Sequence, residues 1–134
     1  FTTGYKSEAE LRNAVCKNAL SYLGTQYRWG GKTPLGIDCS GLVSMAYLQE
    51  GIAIYRDAQI KLGFPIREIS IANIKKGDLL YFPGHVAMYI GNGNFVHATA
   101  HGKKSGVVLA SLNSKNKIFR EDLSKTIIKA GSIF

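Results

Sequence analysis

The chain has 134 residues, 46% of them hydrophobic, with 15 glycines, which fits one compact, turn-rich domain spanning 1–134 with a core large enough to need no staples. No apolar run approaches the roughly 20 residues needed to span a bilayer, so a membrane span is excluded. Seventeen Lys and Arg against nine Asp and Glu give a net charge of +8. The excess is spread along the chain with a modest concentration in Lys103–Lys129. That favours an anionic partner, but without a known nucleic-acid motif or a tight basic cluster nucleic acid ranks low, leaving acidic lipid or an acidic cell-surface polymer.

Two cysteines, Cys16 and Cys39, are too few for a disulfide framework, and both are expected as free thiols. The chain begins at Phe1 without an initiator Met, and reads as a mature form or a domain excised from something longer. Ser7-Glu8-Ala9-Glu10 is a capping box, and Leu11, Val15, Ala19 and Leu23 recur at helical spacing after it, predicting a helix from Glu8 to Leu23 that Gly24 stops. Cys16 lies beside that stripe and reads as a structural thiol. Tyr27-Arg28-Trp29-Gly30-Gly31-Lys32-Thr33-Pro34 reads as a loop. It leads into Gly36-Ile37-Asp38-Cys39-Ser40-Gly41-Leu42-Val43, where small residues followed by Leu42, Val43, Ala46 and Tyr47 put Cys39 on the first turn of a buried helix ending near Gly51.

Between Ile52 and Lys76 the pattern is mixed, with a short helical turn at Asp57–Leu62 and a loop around Gly63-Phe64-Pro65. From Asp78 the period changes to that of strands: Leu79–Phe82, His85–Ile90, a Gly91-Asn92-Gly93 turn, Phe95–Thr99, Gly106–Ser111 and a last strand over Thr126–Ile133. Helices first and an antiparallel sheet second argue for an α+β domain with the helices on one face of the sheet.

A thiol on a helix start meets unpaired N–H groups and the positive end of the dipole, which lower its pKa, with Asp38 opposing. A base is still required. His85 opens a strand and His97 lies on the next one across a tight turn, so pairing brings them side by side. In that arrangement His85 takes the thiol proton and later gives it to a leaving amine, and His97 holds the His85 tautomer. A Cys/His/His zinc site is the rival, against which stands the absence of the usual local ligand spacings. His101, beside Gly102-Lys103-Lys104, reads as an exposed loop residue. Asp38 and Asp57 have no spacing that suggests a glycosidase pair, and substrate binding is the better use for them.

Tyr27-Arg28-Trp29-Gly30-Gly31, Asp38-Cys39-Ser40-Gly41-Leu42, Lys76-Gly77-Asp78-Leu79-Leu80, Gly84-His85-Val86-Ala87-Met88-Tyr89-Ile90-Gly91 and Phe95-Val96-His97-Ala98 resemble, in order, the motif set of the NlpC family of bacterial cell-wall cysteine peptidases. The resemblance implies a papain-like fold and hydrolysis of peptidoglycan stem peptides. Cys39 would be the nucleophile, His85 the base and His97 the third, orienting residue, with no metal or cofactor. It also implies that Tyr27 stands beside the thiol and helps the oxyanion site that the Cys39 N–H begins.

Arg56-Asp57-Ala58-Gln59 resembles a segment of the γ-D-glutamyl-L-diamino acid endopeptidase branch. There the Asp holds the free amine of L-Ala, while Ser40 and Arg56 would meet the D-Glu carboxylate. Tyr55 stands where that branch often has proline. Branch members commonly complete the pocket with an upstream SH3-like domain, which these 134 residues do not contain. The resemblance implies a monomer acting on murein peptides, outside the cell or in the wall, with cytoplasmic peptide recycling as the other setting. The enzyme alternative is an N-acetylmuramoyl-L-alanine amidase, and the alternative of another class is a basic wall-binding module without activity.

Overall fold

The computed structural model describes residues 7–28, 30–33, 36–54, 66–100, 106–115 and 117–134. The expectations for Tyr55, Arg56, Asp57, the turn at Asp57–Leu62 and His101 fall outside those residues. Helix α1 spans Glu8–Leu20, capped by Ser7, whose Oγ accepts from the Glu10 N–H at 3.2 Å. It ends three residues earlier than predicted. Tyr22 and Leu23 continue as tight turns, Leu23 is exposed rather than part of the buried stripe, and Gly24 turns the chain at φ +87°.

The predicted loop after it contains two short strands, β1 (Lys32–Thr33) and β2 (Gly36–Ile37), paired antiparallel. Helix α2 then runs Cys39–Leu48 and closes with turns up to Gly51. Strand β3 (Arg67–Ile69) and one 3₁₀ turn (Ile71–Asn73) follow, neither of them predicted. Next come β4 (Leu79–Phe82), β5 (His85–Gly91), β6 (Asn94–Thr99), β7 (Gly106–Ser111), a four-residue helix α3 (Glu121–Ser124) and β8 (Lys129–Ser132).

Strands β3 to β8 form one six-stranded antiparallel sheet in the order β3-β8-β4-β5-β6-β7. Alternation sends Leu79, Tyr81, Val86, Met88, Val96 and Ala98 toward α1 and α2, where they meet Leu11, Val15, Leu42, Val43, Ala46 and Tyr47. This is the papain-like arrangement. The other face carries Leu80, Phe82, Ala87, Phe95 and Ala110, roofed by Leu112, Leu123 and Ile127 from the chain that crosses from β7 to β8. Among the described residues, no helix is long and apolar enough to cross a membrane.

The open edge of β7 is clasped at both ends. Val107 exchanges hydrogen bonds with Gly24 and Thr25 at 3.0 and 2.9 Å, and Ser111 with Ile118 and Arg120 at 3.0 and 3.1 Å.

The Lys76-Gly77-Asp78 motif has a structural account. Asp78 is 1% exposed, and its Oδ1 accepts from Arg12 Nη1 at 2.8 Å while Oδ2 accepts from the Lys75 N–H at 3.0 Å. Arg12 also donates to the Lys76 carbonyl and Glu8, and lies 4.1 Å over the Phe134 ring. The Tyr47 hydroxyl donates to the Gly77 carbonyl. These contacts tie both helices to the turn before β4. Removing one partner of such a buried pair typically costs about 3–5 kcal/mol, because the other charge is left without compensation. Asp78→Ala should therefore lower the unfolding free energy in urea by about that much, with part recovered in Asp78→Ala/Arg12→Met. A loss under about 1 kcal/mol would contradict the account.

Candidate active site

Cys39 is the first residue of α2. Asp38 caps the helix, its Oδ1 accepting from the Gly41 N–H at 2.7 Å, and this turns the N–H groups of Cys39 and Ser40 toward the sulfur. A third donor comes from the sheet. Odd-numbered residues of β5 bond toward β4, as the Tyr89 N–H does to the Asp78 carbonyl, so even-numbered ones face β6. The β5–β6 ladder stops at Met88↔Val96, although β6 continues to Thr99 alongside β7. The strands splay at that end, and the Val86 N–H meets the Cys39 sulfur there. The thiol thus lies against the first peptide of β5, next to His85.

The imidazoles meet across the same opening. His85 Nε2 and His97 Nδ1 are 2.9 Å apart, with ring centroids 5.1 Å apart and planes at 79°. His97 is fully buried and His85 half-buried at the strand end. By alternation both rings belong to the face away from the helices. The Cys39 thiol and the imidazole pair therefore belong to opposite faces of the sheet, and the Val86 N–H places the sulfur one residue along the chain from His85.

Burial pushes the Cys39 thiol above its ordinary pKa, the N–H groups of Val86, Ser40 and Cys39 pull against it, and the Asp38 carboxylate raises it further. The expectation that the helix start leaves the thiol below its ordinary range does not hold, because desolvation outweighs the donors. Asp38→Asn removes a negative charge beside the developing thiolate, so the pH midpoint for alkylation of Cys39 by iodoacetamide should move down. A midpoint that stays put or rises would show that Asp38 does not act on the sulfur through its charge.

Tyr27 is brought to the thiol by backbone pairing. Arg28 N–H donates to the Ile37 carbonyl and Ile37 N–H to the Gln26 carbonyl, both at 3.0 Å, which lays the Tyr27 segment along β2. Gly31 makes this close approach possible, since a Cβ there would lie 2.4 Å from the Gly36 carbonyl oxygen. Burial raises the Tyr27 pKa, followed by the negative charges of Cys39 and Asp38, which places the phenol near both and keeps it a donor.

Asp38 is only 5% exposed. Its Oδ2 accepts from the Gly30 N–H at 2.9 Å, and its Oδ1 also accepts from the Ser40 hydroxyl at 3.4 Å. Its carboxylate thus joins the Gly-Gly turn to the helix start. Cys16 is buried in the core, with its thiol on the Tyr89 carbonyl at 3.8 Å and its pKa pushed up to about 11 by burial. Both cysteines are free. Among the described residues, no group of three or more His, Cys, Asp or Glu is arranged to hold a metal ion. A cleft of about 670 Å³ beside Arg12, Arg67, Lys75 and Phe134 takes none of its walls from Cys39, His85, His97 or Tyr27. The residue that sequence reading missed is Val86, which acts through its backbone and so leaves no mark on side-chain pattern.

The NlpC/P60 family model matches residues 24–125, the span that holds all of this geometry. The chain belongs to the NlpC/P60 family. This NlpC/P60 domain is 54% identical over 127 residues to a Lysinibacillus sphaericus protein named dipeptidyl-peptidase 6, covering 95% of this chain and 46% of that one. It is 37% identical over 106 residues to the bifunctional muramidase/DL-endopeptidase CwlT of Bacillus subtilis, covering 72% of this chain and 32% of the relative. The chain thus spans less than half the length of these curated relatives. Among solved structures, it is similar to the peptidoglycan hydrolase RipB of Mycobacterium tuberculosis, with a TM-score of 0.75 at 25% identity over 98% of this chain and 70% of that one.

Proposed function

We propose that this NlpC/P60 domain is a cysteine endopeptidase of peptidoglycan stem peptides, cutting the γ-D-Glu–diamino acid bond of L-Ala-γ-D-Glu-L-diamino acid peptides. What supports the reading is that the Cys39 sulfur meets the N–H of Val86, the residue after His85, while His85 and His97 pair at 2.9 Å. With His85 Nε2 on His97, proton transfer falls to His85 Nδ1. The Cys39 S–H gives its proton to that nitrogen as the sulfur attacks the γ-carbonyl carbon of D-Glu. The oxyanion that forms is met by the Cys39 N–H and the Tyr27 hydroxyl. His85 then protonates the leaving amine of the diamino acid, the C–N bond breaks, and an acyl-thioenzyme remains. Water, deprotonated by His85, hydrolyses the thioester and restores the thiol.

Asp38 is assigned to holding the helix start and the Tyr27 turn in place, rather than to contacting substrate as first expected. Asp57 is assigned the free ammonium of L-Ala, and Ser40 and Arg56 the D-Glu carboxylate. These assignments rest on the segment resemblance and are supported by the relative named dipeptidyl-peptidase 6. The setting proposed is the wall or the exterior, with murein peptides as partners and anionic wall polymers compatible with the charge of +8.

Mass spectrometry of products from the free tripeptide and from its muramyl-linked form tests the reading. The free peptide should yield L-Ala-γ-D-Glu and the diamino acid, with the muramyl-linked form cut poorly because its L-Ala nitrogen is an amide. Asp57→Ala should cost the free peptide on the order of a hundredfold in kcat/KM and change the blocked one little. Equal cleavage of both, or release of lactyl-linked products, would replace this reading with a general endopeptidase or an amidase.

A further inference from the structure

We infer that Phe82 and Phe95 are positioning residues for the imidazole pair, closing with His85 and His97 a ring of four side chains that fixes the planes in which the two imidazoles meet. The inference rests on the peptidase reading for its kinetic consequence, but not for its geometry. Phe82 sits directly opposite His85 in the β4–β5 register, with ring centroids 5.7 Å apart and planes at 42°. Phe95 precedes His97 by two residues on the same face of β6, at 5.1 Å and 65°. The two phenylalanines touch each other at 5.9 Å, and the imidazoles touch at 5.1 Å, so each member of the ring meets two others. Phe82 is 1% exposed, and Phe95 and His97 are fully buried.

The last torsion of a histidine is broad and roughly two-fold, so orientation is not set by the side chain itself. Tilting the His85 ring out of its plane draws Nε2 away from His97 Nδ1 and swings Nδ1 out of its place, so the proton acceptor and its partner are lost together. The bond between His85 Nε2 and His97 Nδ1 lies at a half-buried strand end, where it restrains that tilt weakly. Tilted and edge-to-face ring contacts depend on the planes they meet, which an aliphatic side chain of similar volume does not. Phe82 and Phe95 are also members of the cluster on the sheet face away from the helices, which anchors the imidazoles to packed core.

The test compares Phe82→Leu and Phe95→Leu with Leu80→Ala, a control that removes buried volume from the same cluster but no ring. Imidazole ¹⁵N spectra of the substrate-free protein report tautomer and ring exchange, and kinetics on the tripeptide report the consequence. The wild type should show distinct protonated and unprotonated nitrogens for His85 and His97. In either Phe variant these should move toward averaged values, and kcat should fall about tenfold or more with KM within about twofold. Leu80→Ala should leave both readouts near wild type.

If Phe95→Leu does not fold, Phe95→Met, which fills the space without a ring face, carries the same expectation. Folded Phe variants with wild-type imidazole spectra and kcat would overturn the inference, as would equal effects in Leu80→Ala. A wild-type protein inactive on every murein peptide would sink the functional reading alone, since the spectra still decide the ring's role.

Discussion

Cys39→Ala is expected to abolish turnover, with kcat falling by at least about four orders of magnitude, because the proposed reaction forms its acyl intermediate on that sulfur. Cys39→Ser should be nearly as inactive: a hydroxyl is a far weaker acid than a thiol, and this site already raises the pKa of the group at position 39 through burial and Asp38. Cys16→Ala should keep full turnover and lose only stability. In the folded wild type, iodoacetamide should label Cys39 ahead of Cys16, whose thiol is held protonated up to about pH 11 within the core. Faster labelling of Cys16, or activity that survives Cys39→Ala, would remove the thiol from the reaction. A chelator should leave activity unchanged, and loss restored by zinc would revive the metal reading.

The two histidines should differ in what they tolerate. His85→Ala is expected to cost several orders of magnitude, since in the proposed reaction it is the group that moves the proton in both half-reactions. His97 meets His85 Nε2 through its Nδ1, and in the proposed reaction its part is to accept a hydrogen bond there. Asn carries its amide oxygen at the place of Nδ1, whereas the Gln amide lies one bond further out. His97→Asn should therefore retain measurable kcat, well above His97→Gln. Equal and complete loss in His85→Ala and His97→Asn would mean that the roles are misassigned.

What could be read from the sequence followed the physics that each segment obeys. The limits of β4 and β7 were legible because apolar and β-branched runs there are bounded by glycine and turn residues. Cys39 on the first turn of a helix was legible from the small residues before an apolar stripe. Strands β1 and β2, of two residues each, are too short to carry any periodicity, and β3, exposed and polar at an edge, lacks the alternation that would reveal it. The direction of the Cys39 pKa was misread because a helix start is visible in sequence but the depth of its burial is not. Val86 was invisible for a related reason, since its contribution is a backbone N–H released by a splay between strands.

The clasps on β7 bear on how this domain behaves among many copies of itself and among extended peptides. A sheet edge with free N–H and C=O groups is a template on which another strand can add. Here the outward-pointing groups of Val107 and Ser111 are already bonded to the chain's own flanking segments, which leaves Leu109 between them as the single outward-facing position. One residue is too short a landing for a visiting strand. The opposite edge, β3, offers only three residues. Among the described residues, neither edge offers a long run of free backbone groups to another copy of the domain, and the peptide of the proposed reaction would be recognised by its end groups and side chains instead of by joining the sheet.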